Sequence, residues 1–217
     1  MRLLQRLFAI ACFGLIAAAA TAAPNAPVEG QEYIRLPQQV PTDTGKKVEV
    51  LEFFWYNCPH CYQFEPHFAE WIKKQGDHIV VKRVPVVFRE SFVPQQKLYY
   101  TLEAMNRLDL HRVVFDAIHA GHQKLDREEQ IMAFIEKQGV DMKKFTDTYN
   151  SFSVQSKVGR VPQLQATFRL EGVPTVVIDG QYITSPSIVG QAMRGASEAQ
   201  MNAATLQVMD ALVAKKK

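Results

Sequence analysis

The chain of 217 residues is long enough to fold as one domain with a sizeable core, or as one domain that carries a large insertion. Apolar residues make up 47% of it and charged residues 22%, a balance that excludes a disordered or low-complexity protein. The formal charge of +3 is too small to indicate a nucleic-acid-binding protein.

Residues 1–22 have the three-part layout of a secretory signal peptide. Arg2 and Arg6 form a basic start, residues 7–20 are an apolar run, and the small residues 20–22 end it. The alternative is a membrane anchor, but the run of about 14 residues is shorter than the roughly 20 that span a bilayer. We therefore expect the segment to be cleaved and the mature protein to be soluble in an exported compartment where disulfides persist.

The chain has three cysteines, too few for a disulfide scaffold. Cys12 lies inside the signal segment, so cleavage after Ala22, or next after Ala23, removes it. The mature protein then keeps Cys58 and Cys61, and its charge falls to 23 basic against 22 acidic residues.

A β-α-β unit is predicted in the first third of the mature chain. Residues 33–36 indicate a possible edge strand, and residues 48–54 are an apolar, β-prone run typical of a buried central strand. A helix follows from Cys58 to about residue 74, where Gly76 closes it, and a second long strand lies within residues 78–87. The strands on either side of this helix are expected to be parallel, with a right-handed crossover.

The pattern from about residue 93 to residue 170 is helical throughout. Asp126 fits the N-cap of one helix, with Glu129 as its partner in a capping box. Pro162 lies inside the last helix of this stretch, and an interior proline removes a backbone hydrogen bond and crowds the preceding turn. We therefore predict a kink or break near residues 158–162.

Two strands and a helix complete the chain. Residues 173–183 are apolar and β-prone on both sides of Asp179-Gly180, a dipeptide typical of a hairpin turn. A final helix is predicted from about Ser197 to Val213. The whole chain therefore has the α/β order β-α-β, a helical block, then β-β-α, with no internal repeat.

The segment Cys58-Pro59-His60-Cys61 stands where the predicted central strand ends and the first helix begins. Pro59 suits the first helical position, which makes Cys58 the N-cap. A thiolate at the N-cap faces free backbone N–H groups and the positive end of the helix dipole, and both favour S⁻ over SH. We therefore expect Cys58 to be the exposed, attacking sulfur and Cys61 to be the shielded, resolving thiol.

His60 adds a positive charge or a hydrogen-bond donor beside this sulfur. Each pKa unit by which the thiolate is stabilised below the ambient pH favours the reduced pair by about 1.4 kcal/mol, which is roughly 30 mV. The motif therefore indicates an enzyme that donates its disulfide. One alternative is a structural disulfide, which would close a very small loop and gain little entropy. Another is an exported metal-binding module that uses the two cysteines and His60, although three ligands make an incomplete zinc site.

Glu52 is a carboxylate within the apolar central strand. Burial would raise its pKa and suit it to exchange protons with Cys61. An ion-paired edge position, with Lys82 as the partner, is an equally good interpretation of the same residue.

Two further features leave a choice open. Val173-Pro174 precedes the hairpin, and the sequence does not decide whether this bond is cis. His119 and His122 have the spacing of a metal pair, but no third ligand is in view, so solvated histidines at a helix end are the preferred interpretation.

Several of these segments resemble a known family. Residues 51–54, 58–65 and 172–174 are similar to the corresponding motifs of the DsbA family, bacterial periplasmic thiol:disulfide oxidoreductases whose thioredoxin-like fold is interrupted by a helical domain. The resemblance covers essentially the whole mature chain. Residues 55–57, near the motif, and the pair Gly159 and Pro162, at the hinge of the helical block, depart from the family pattern.

The resemblance implies a role for each site residue. Cys58 exchanges disulfides with substrate thiols through a mixed disulfide, and Cys61 resolves it. His60 stabilises the Cys58 thiolate, and Glu52 is the buried acid under the cysteines. Val173-Pro174 becomes a cis-proline loop whose backbone pairs with the substrate chain.

The resemblance also implies the setting of the protein. Residues 23–92 and 166–217 would form the thioredoxin-like part, and residues 93–165 the helical insertion. The substrates would be newly exported polypeptides in the periplasm, and a quinone-linked membrane protein of the DsbB type would reoxidise the cysteine pair. No cofactor or metal is implied. A chain of about 25 mature residues before Val48 leaves no room for an isomerase-type dimerisation domain, which favours a monomeric oxidase over an isomerase or reductase.

Overall fold

The computed structural model describes residues 26–216, so the signal peptide predicted at residues 1–22 lies outside the described residues. A five-stranded mixed sheet with the order β1-β5-β4-β2-β3 forms the centre. β2 and β3 are parallel, and the other neighbouring pairs are antiparallel. The strands are β1 (Ile34–Arg35), β2 (Val48–Phe54), β3 (Ile79–Pro85), β4 (Thr175–Ile178) and β5 (Tyr182–Thr184).

Helices connect and cover the strands. The first connects β2 to β3, the next five form a block between β3 and β4, and the last two follow β5. They are α1 (Pro59–Gln75), α2 (Val93–Ala104), α3 (His111–His119), α4 (Glu128–Glu136), α5 (Met142–Tyr149), α6 (Phe152–Thr167), α7 (Pro186–Ala192) and α8 (Glu198–Val213). None of the helices within residues 26–216 has the length and apolar character needed to cross a membrane.

β2 is the central strand because both of its faces are covered. All of its residues are buried. Val48 and Val50 pack in an apolar core with residues of α1 and α8, whereas Leu51 and Phe53 pack in a second core shared with the helical block. Burial on both faces explains why the run is apolar almost throughout rather than alternating.

Several local predictions are confirmed. β1 is an edge strand, and β2 and β3 are parallel. α1 ends at Gly76, which has a positive φ of 55°. The turn between β4 and β5 contains Asp179 and Gly180 with φ of 52° and 63°, the pair of positive angles that a type I′ turn requires.

A kink or break is predicted near residues 158–162, and the break is wrong, because α6 runs through this segment without interruption. Pro162 is exposed, and the carbonyl that loses its helical partner is that of Val158, which is half-buried. Val154 and Val161 are buried and hold the same helix against the core. Their burial offsets the local cost of the proline.

The capping box predicted for Asp126 and Glu129 is wrong by one residue. Arg127 is the N-cap of α4, and the side chain of Gln130 accepts hydrogen bonds from the backbone N–H groups of Asp126 at 3.1 Å and Arg127 at 3.2 Å. Glu129 forms an ion pair with Arg127 instead. Glutamine serves as well as glutamate at the third helical position, but the arginine side chain has no acceptor, so only this half of the capping box exists one residue later.

Helix α7 has no counterpart among the predicted elements. The hydroxyl of Ser185 accepts a hydrogen bond from the N–H of Ile188 at 3.0 Å, and Pro186 occupies the first helical turn. A helix of two turns is too short for its apolar period to be recognised. The serine cap followed by proline is the signal that could have found it.

Candidate active site

The two cysteines lie where the chain leaves β2 and enters α1. Cys58 occupies the predicted N-cap position with an extended backbone (φ −82°, ψ 116°), and Pro59 lies in the first turn of α1. The N–H of Cys58 donates to the carbonyl of Trp55 at 2.9 Å, which closes the turn that leads into the helix. Cys61 lies one turn further, and both cysteines are free thiols.

The two thiols have opposite electrostatic environments. A hydrogen bond with the side chain of Cys61, together with the backbone N–H groups of Cys61 and His60, lowers the pKa of Cys58 from 9.0 to about 6. Burial, and then the neighbouring Cys58 sulfur, raise the pKa of Cys61 well above 9.0. At neutral pH the pair therefore holds a thiolate on Cys58 and a proton on Cys61.

The expectation of an exposed Cys58 is wrong. The residue is 7% exposed, compared with 1% for Cys61. Its Sγ lies 3.5 Å from the carbonyl oxygen of Val173, and the Val173–Pro174 peptide bond is cis. This loop leads directly into β4, which pairs with β2 and so brings the loop beside the sulfur. The carbonyl of Val173 therefore covers one side of the Cys58 sulfur.

His60 is exposed and contacts a residue that no sequence pattern singled out. Its Nδ1 lies 2.8 Å from Oε1 of Glu198, in the first turn of α8. The hydrogen bond to Glu198 raises the pKa of His60, and the charge of Glu198 and the Cys58 sulfur act in the same direction. The positive charge of His60 in turn lowers the pKa of Cys58. An acidic residue in the first turn of a helix is common because it suits the dipole, so Glu198 carries no local sign of this contact.

Glu52 is buried, and its ion-pair partner is Arg83 rather than the predicted Lys82. Nε of Arg83 lies 2.7 Å from Oε2 of Glu52. Lys82 pairs instead with Glu49 at 2.7 Å and with Asp43. Burial raises the pKa of Glu52 from 4.5 to about 7, although the charge of Arg83 opposes this effect. Each interpretation left open by the sequence is therefore partly right, since Glu52 is both desolvated and ion-paired.

A second buried carboxylate shares the same guanidinium. Nη2 of Arg83 lies 3.1 and 3.2 Å from the two carboxylate oxygens of Glu65, which belongs to α1. Burial raises the pKa of Glu65, but its contacts with His111 and Arg83 outweigh that effect and lower it. Burial lowers the pKa of His111, although its contact with Glu65 acts in the opposite direction. These three residues come from α1, β3 and α3, which is why no local pattern indicates them as a set.

The two histidines considered as a metal pair have different surroundings. Nε2 of His119 lies 2.8 Å from the carbonyl oxygen of Tyr56, whereas His122 is exposed, as predicted. Within residues 26–216, no group of three His, Cys, Asp or Glu side chains is placed to hold a metal ion.

Known proteins similar in sequence share one name. Residues 83–207 match the family model described as a DSBA-like thioredoxin domain. A thiol:disulfide interchange protein DsbA from Burkholderia cepacia is 46% identical over 177 residues, which cover 80% of this chain and 83% of the relative. A protein of the same name from Bordetella parapertussis is 40% identical over 205 residues, which cover 92% of this chain and 94% of the relative.

Two solved structures with the same fold carry the DsbA name. The crystal structure of Pseudomonas aeruginosa DsbA superposes with a TM-score of 0.72 at 35% identity and covers 87% of this chain and 96% of its own. Reduced DsbA1 from Neisseria meningitidis superposes with a TM-score of 0.73 at 28% identity and covers 88% of this chain and 96% of its own. The predicted thioredoxin-like fold with inserted helices is thereby confirmed. A chain with this fold, these relatives and a cysteine pair at the start of α1 belongs to the DsbA family of disulfide oxidoreductases.

Proposed function

We propose that this protein donates the Cys58–Cys61 disulfide to pairs of thiols in unfolded or folding exported polypeptides. The contrast between the two thiols is the observation that supports the proposal: the pKa of Cys58 is lowered to about 6, and the pKa of Cys61 is raised. A stabilised thiolate favours the reduced pair, so the oxidised pair gives up its disulfide readily.

The reaction begins when a substrate thiolate attacks Sγ of Cys58 and breaks the bond to Cys61. Cys61 leaves as a thiolate and takes up a proton, as its raised pKa favours. A second substrate thiolate then attacks the substrate sulfur of the mixed disulfide, and Cys58 leaves as a stabilised thiolate. Two electrons have then passed from the substrate thiols to the cysteine pair.

In this proposal Glu52 exchanges the proton that Cys61 takes up. The pKa of Glu52 is about 7, so the carboxyl is protonated in a substantial fraction of molecules at neutral pH. The negative charge of ionised Glu52 also contributes to the raised pKa of Cys61. Arg83 holds the carboxylate in one orientation by its hydrogen bond of 2.7 Å.

Val173 and Pro174 bind the substrate chain in this proposal. A polypeptide joined to Cys58 lies against the loop because the carbonyl of Val173 is 3.5 Å from the sulfur. The backbone of the substrate can then pair with the loop as an added strand. Pro59 contributes by starting α1 without leaving an unsatisfied N–H beside the reacting sulfur.

Membership of the DsbA family supports a setting for this activity, which is part of the proposal. The protein acts in the periplasm as a monomer, after removal of residues 1–22. Residues 23–92 and 166–217 form the thioredoxin-like part, and residues 93–165 form the helical domain. A quinone-linked membrane oxidase of the DsbB type accepts two electrons from the reduced pair and restores the disulfide.

Cys58 is expected to titrate near pH 6 in the reduced protein, because its thiolate is stabilised by Cys61 and by the N–H groups of the helix. Thiolate absorbance followed against pH measures this. The equilibrium of the cysteine pair with glutathione then separates a disulfide donor from a reductant. A Cys58 pKa of about 8.5, the value of an ordinary thiol, would contradict the proposal. So would a pair that stays oxidised in an excess of reduced glutathione.

His60→Ser is expected to raise the pKa of Cys58, because it removes the positive charge beside the thiolate. At pH 7 the glutathione equilibrium should shift toward the disulfide form by at most about tenfold, because the wild-type pKa of about 6 lies only about one unit below that pH. His67→Ser is the matched control, since His67 is exposed on the same helix seven residues later. If both variants keep the wild-type equilibrium, His60 has no part in setting the potential.

A further inference from the structure

Helix α3 holds Tyr56 at two separate atoms, and Tyr56 lies two residues before Cys58. Nε2 of His119, the last residue of α3, lies 2.8 Å from the backbone oxygen of Tyr56. Nδ1 of His111, the first residue of α3, lies 2.9 Å from the hydroxyl of the same tyrosine. Two histidines about 12 Å apart along one helix therefore bind the main chain and the side chain of one residue.

The chemistry of these groups determines which atom donates. The carbonyl of Tyr56 can only accept, so Nε2 of His119 carries the hydrogen and donates it. Tyr56 is 1% exposed, and burial raises the pKa of its hydroxyl well above the usual range, so the hydroxyl keeps its proton. Nδ1 of His111 can accept that proton in a hydrogen bond when the ring hydrogen is on Nε2.

His119 also contacts the chain on the other side of the cysteine pair. Its ring stacks on Tyr62, with ring centroids 4.6 Å apart and an angle of 15° between the planes. Tyr62 directly follows Cys61, and its N–H donates to the carbonyl of Cys58 at 3.1 Å. α3 therefore touches the residue one position after the cysteine pair as well as the turn before it.

We propose that α3 is a positioning element for the redox motif, with His119 as its principal positioning residue. This inference rests on the proposed function and deepens it. The turn formed by residues 55–58 carries Cys58 into the N-cap, and Tyr56 lies inside that turn. A donor that fixes the Tyr56 carbonyl fixes the peptide planes of the turn, and with them the position of the sulfur relative to the helix N–H groups.

Two substitutions at His119 separate its hydrogen bond from its stacking. His119→Phe keeps an aromatic ring over Tyr62 and removes the donor, whereas His119→Gln keeps an N–H at the same distance from the backbone and removes the ring. His122→Asn is the control, because His122 is exposed with φ of 53°, an angle that asparagine tolerates.

We expect His119→Phe to raise the pKa of Cys58 and to shift the glutathione equilibrium toward the disulfide form. The shift should be about three- to tenfold, which corresponds to the net free energy of one hydrogen bond. His119→Gln should restore most of the wild-type equilibrium, and His122→Asn should leave it unchanged. A merely structural role for His119 would lower the melting temperature without moving either redox measurement. A wild-type equilibrium in His119→Phe would overturn the inference.

A measurement on the unaltered chain covers the case in which His119→Phe does not fold. The Nε2–H proton of His119 should be visible by NMR and protected from exchange in both the reduced and the oxidised protein. Rapid exchange in both forms would overturn the inference. The wild-type glutathione equilibrium tests the donor function separately. If the wild-type cysteine pair is a reductant, the donor function is contradicted. If its equilibrium still shifts in His119→Phe, the positioning role of His119 is retained.

Discussion

Cys61→Ala is expected to give a protein that forms mixed disulfides through Cys58 and does not release them. Oxidised glutathione is a sufficient probe: the Cys58 thiolate attacks one of its sulfurs and releases one glutathione thiolate. In the wild type, Cys61 lies one turn away and resolves the adduct within the molecule. Intramolecular groups in good position act at effective concentrations of about 10⁵ M, so its loss should lengthen the life of the adduct by at least about 1,000-fold in millimolar thiol.

The matched variant is Cys58→Ala, which leaves Cys61 as the single cysteine of the pair. Cys61 is 1% exposed and has a raised pKa, so it should form the glutathione adduct far more slowly than Cys58. Mass spectrometry of the two variants over time measures both rates. Adduct formation that is as fast through Cys61 as through Cys58 would show that the roles of the two cysteines are wrongly assigned.

Cys61→Ala also tests why Cys58 is a thiolate. The hydrogen bond with Cys61 is the largest effect that lowers the pKa of Cys58, so the pKa should rise above 6 in the variant. It should remain below 9.0, because the backbone N–H groups and His60 still favour the thiolate. Following the rate of adduct formation against pH gives this value directly, since the thiolate is the reacting form.

The local part of the site could be predicted because its signals lie close together in the chain. An apolar run at residues 48–54 ends a few residues before Cys58, and Pro59 marks the first turn of a helix. These features place a reactive sulfur at a helix N-terminus without any knowledge of the rest of the fold. The direction of the Cys58 pKa follows from that placement alone.

Arg83 could not be predicted as the partner of Glu52 because the choice depends on strand register. β2 and β3 pair so that Glu52 lies beside Arg83 and Leu51 lies beside Lys82. Successive side chains along a strand point to opposite faces, so a change of one residue exchanges the two cations. Lys82 therefore points to the other face, where it contacts Glu49.

The remaining contacts depend on how distant elements pack. Glu198 is 138 residues from His60, and His111 is 55 residues from Tyr56. The covering of Cys58 likewise depends on Val173, which is 115 residues away. No hydrophobic period encodes such distances, so the sequence indicates the reactive thiol and leaves its surroundings undetermined.

Arg83→Met is expected to destabilise the reduced protein by about 3–5 kcal/mol near neutral pH, the usual result of leaving buried charges without a partner. The side chain of Arg83 is 13% exposed, and those of Glu52 and Glu65 are 2% and 7% exposed. Water therefore cannot replace the guanidinium at either carboxylate. Methionine retains most of the aliphatic length and the contact with Phe68, over whose ring the guanidinium lies. Urea unfolding of the reduced protein measures the change in free energy.

The pH dependence of this loss has a definite sign. Glu52 has a pKa of about 7 in the folded protein, above its usual 4.5, so its contribution to stability falls as the pH rises between these values. Glu65 has a lowered pKa, so its contribution is present above the usual value of 4.5 and is lost as the pH falls. Removing Arg83 raises the pKa of both groups. The deficit of Arg83→Met relative to the wild type should therefore be smaller at about pH 5 than at about pH 8.

Arg107→Met is the matched control for the loss of an arginine ion pair. Arg107 pairs with Asp109 at 2.9 Å on the surface, and such an exposed pair contributes little to stability. Adding Glu52→Gln to Arg83→Met should recover part of the lost stability, because the amide removes one buried charge. If Arg83→Met loses no more unfolding free energy than Arg107→Met, or if its loss grows toward acidic pH, Glu52 and Glu65 do not need the Arg83 guanidinium. The proton-exchange role of Glu52 would then lose its support, since its pKa of about 7 is set by burial together with the charges of Arg83 and Glu65.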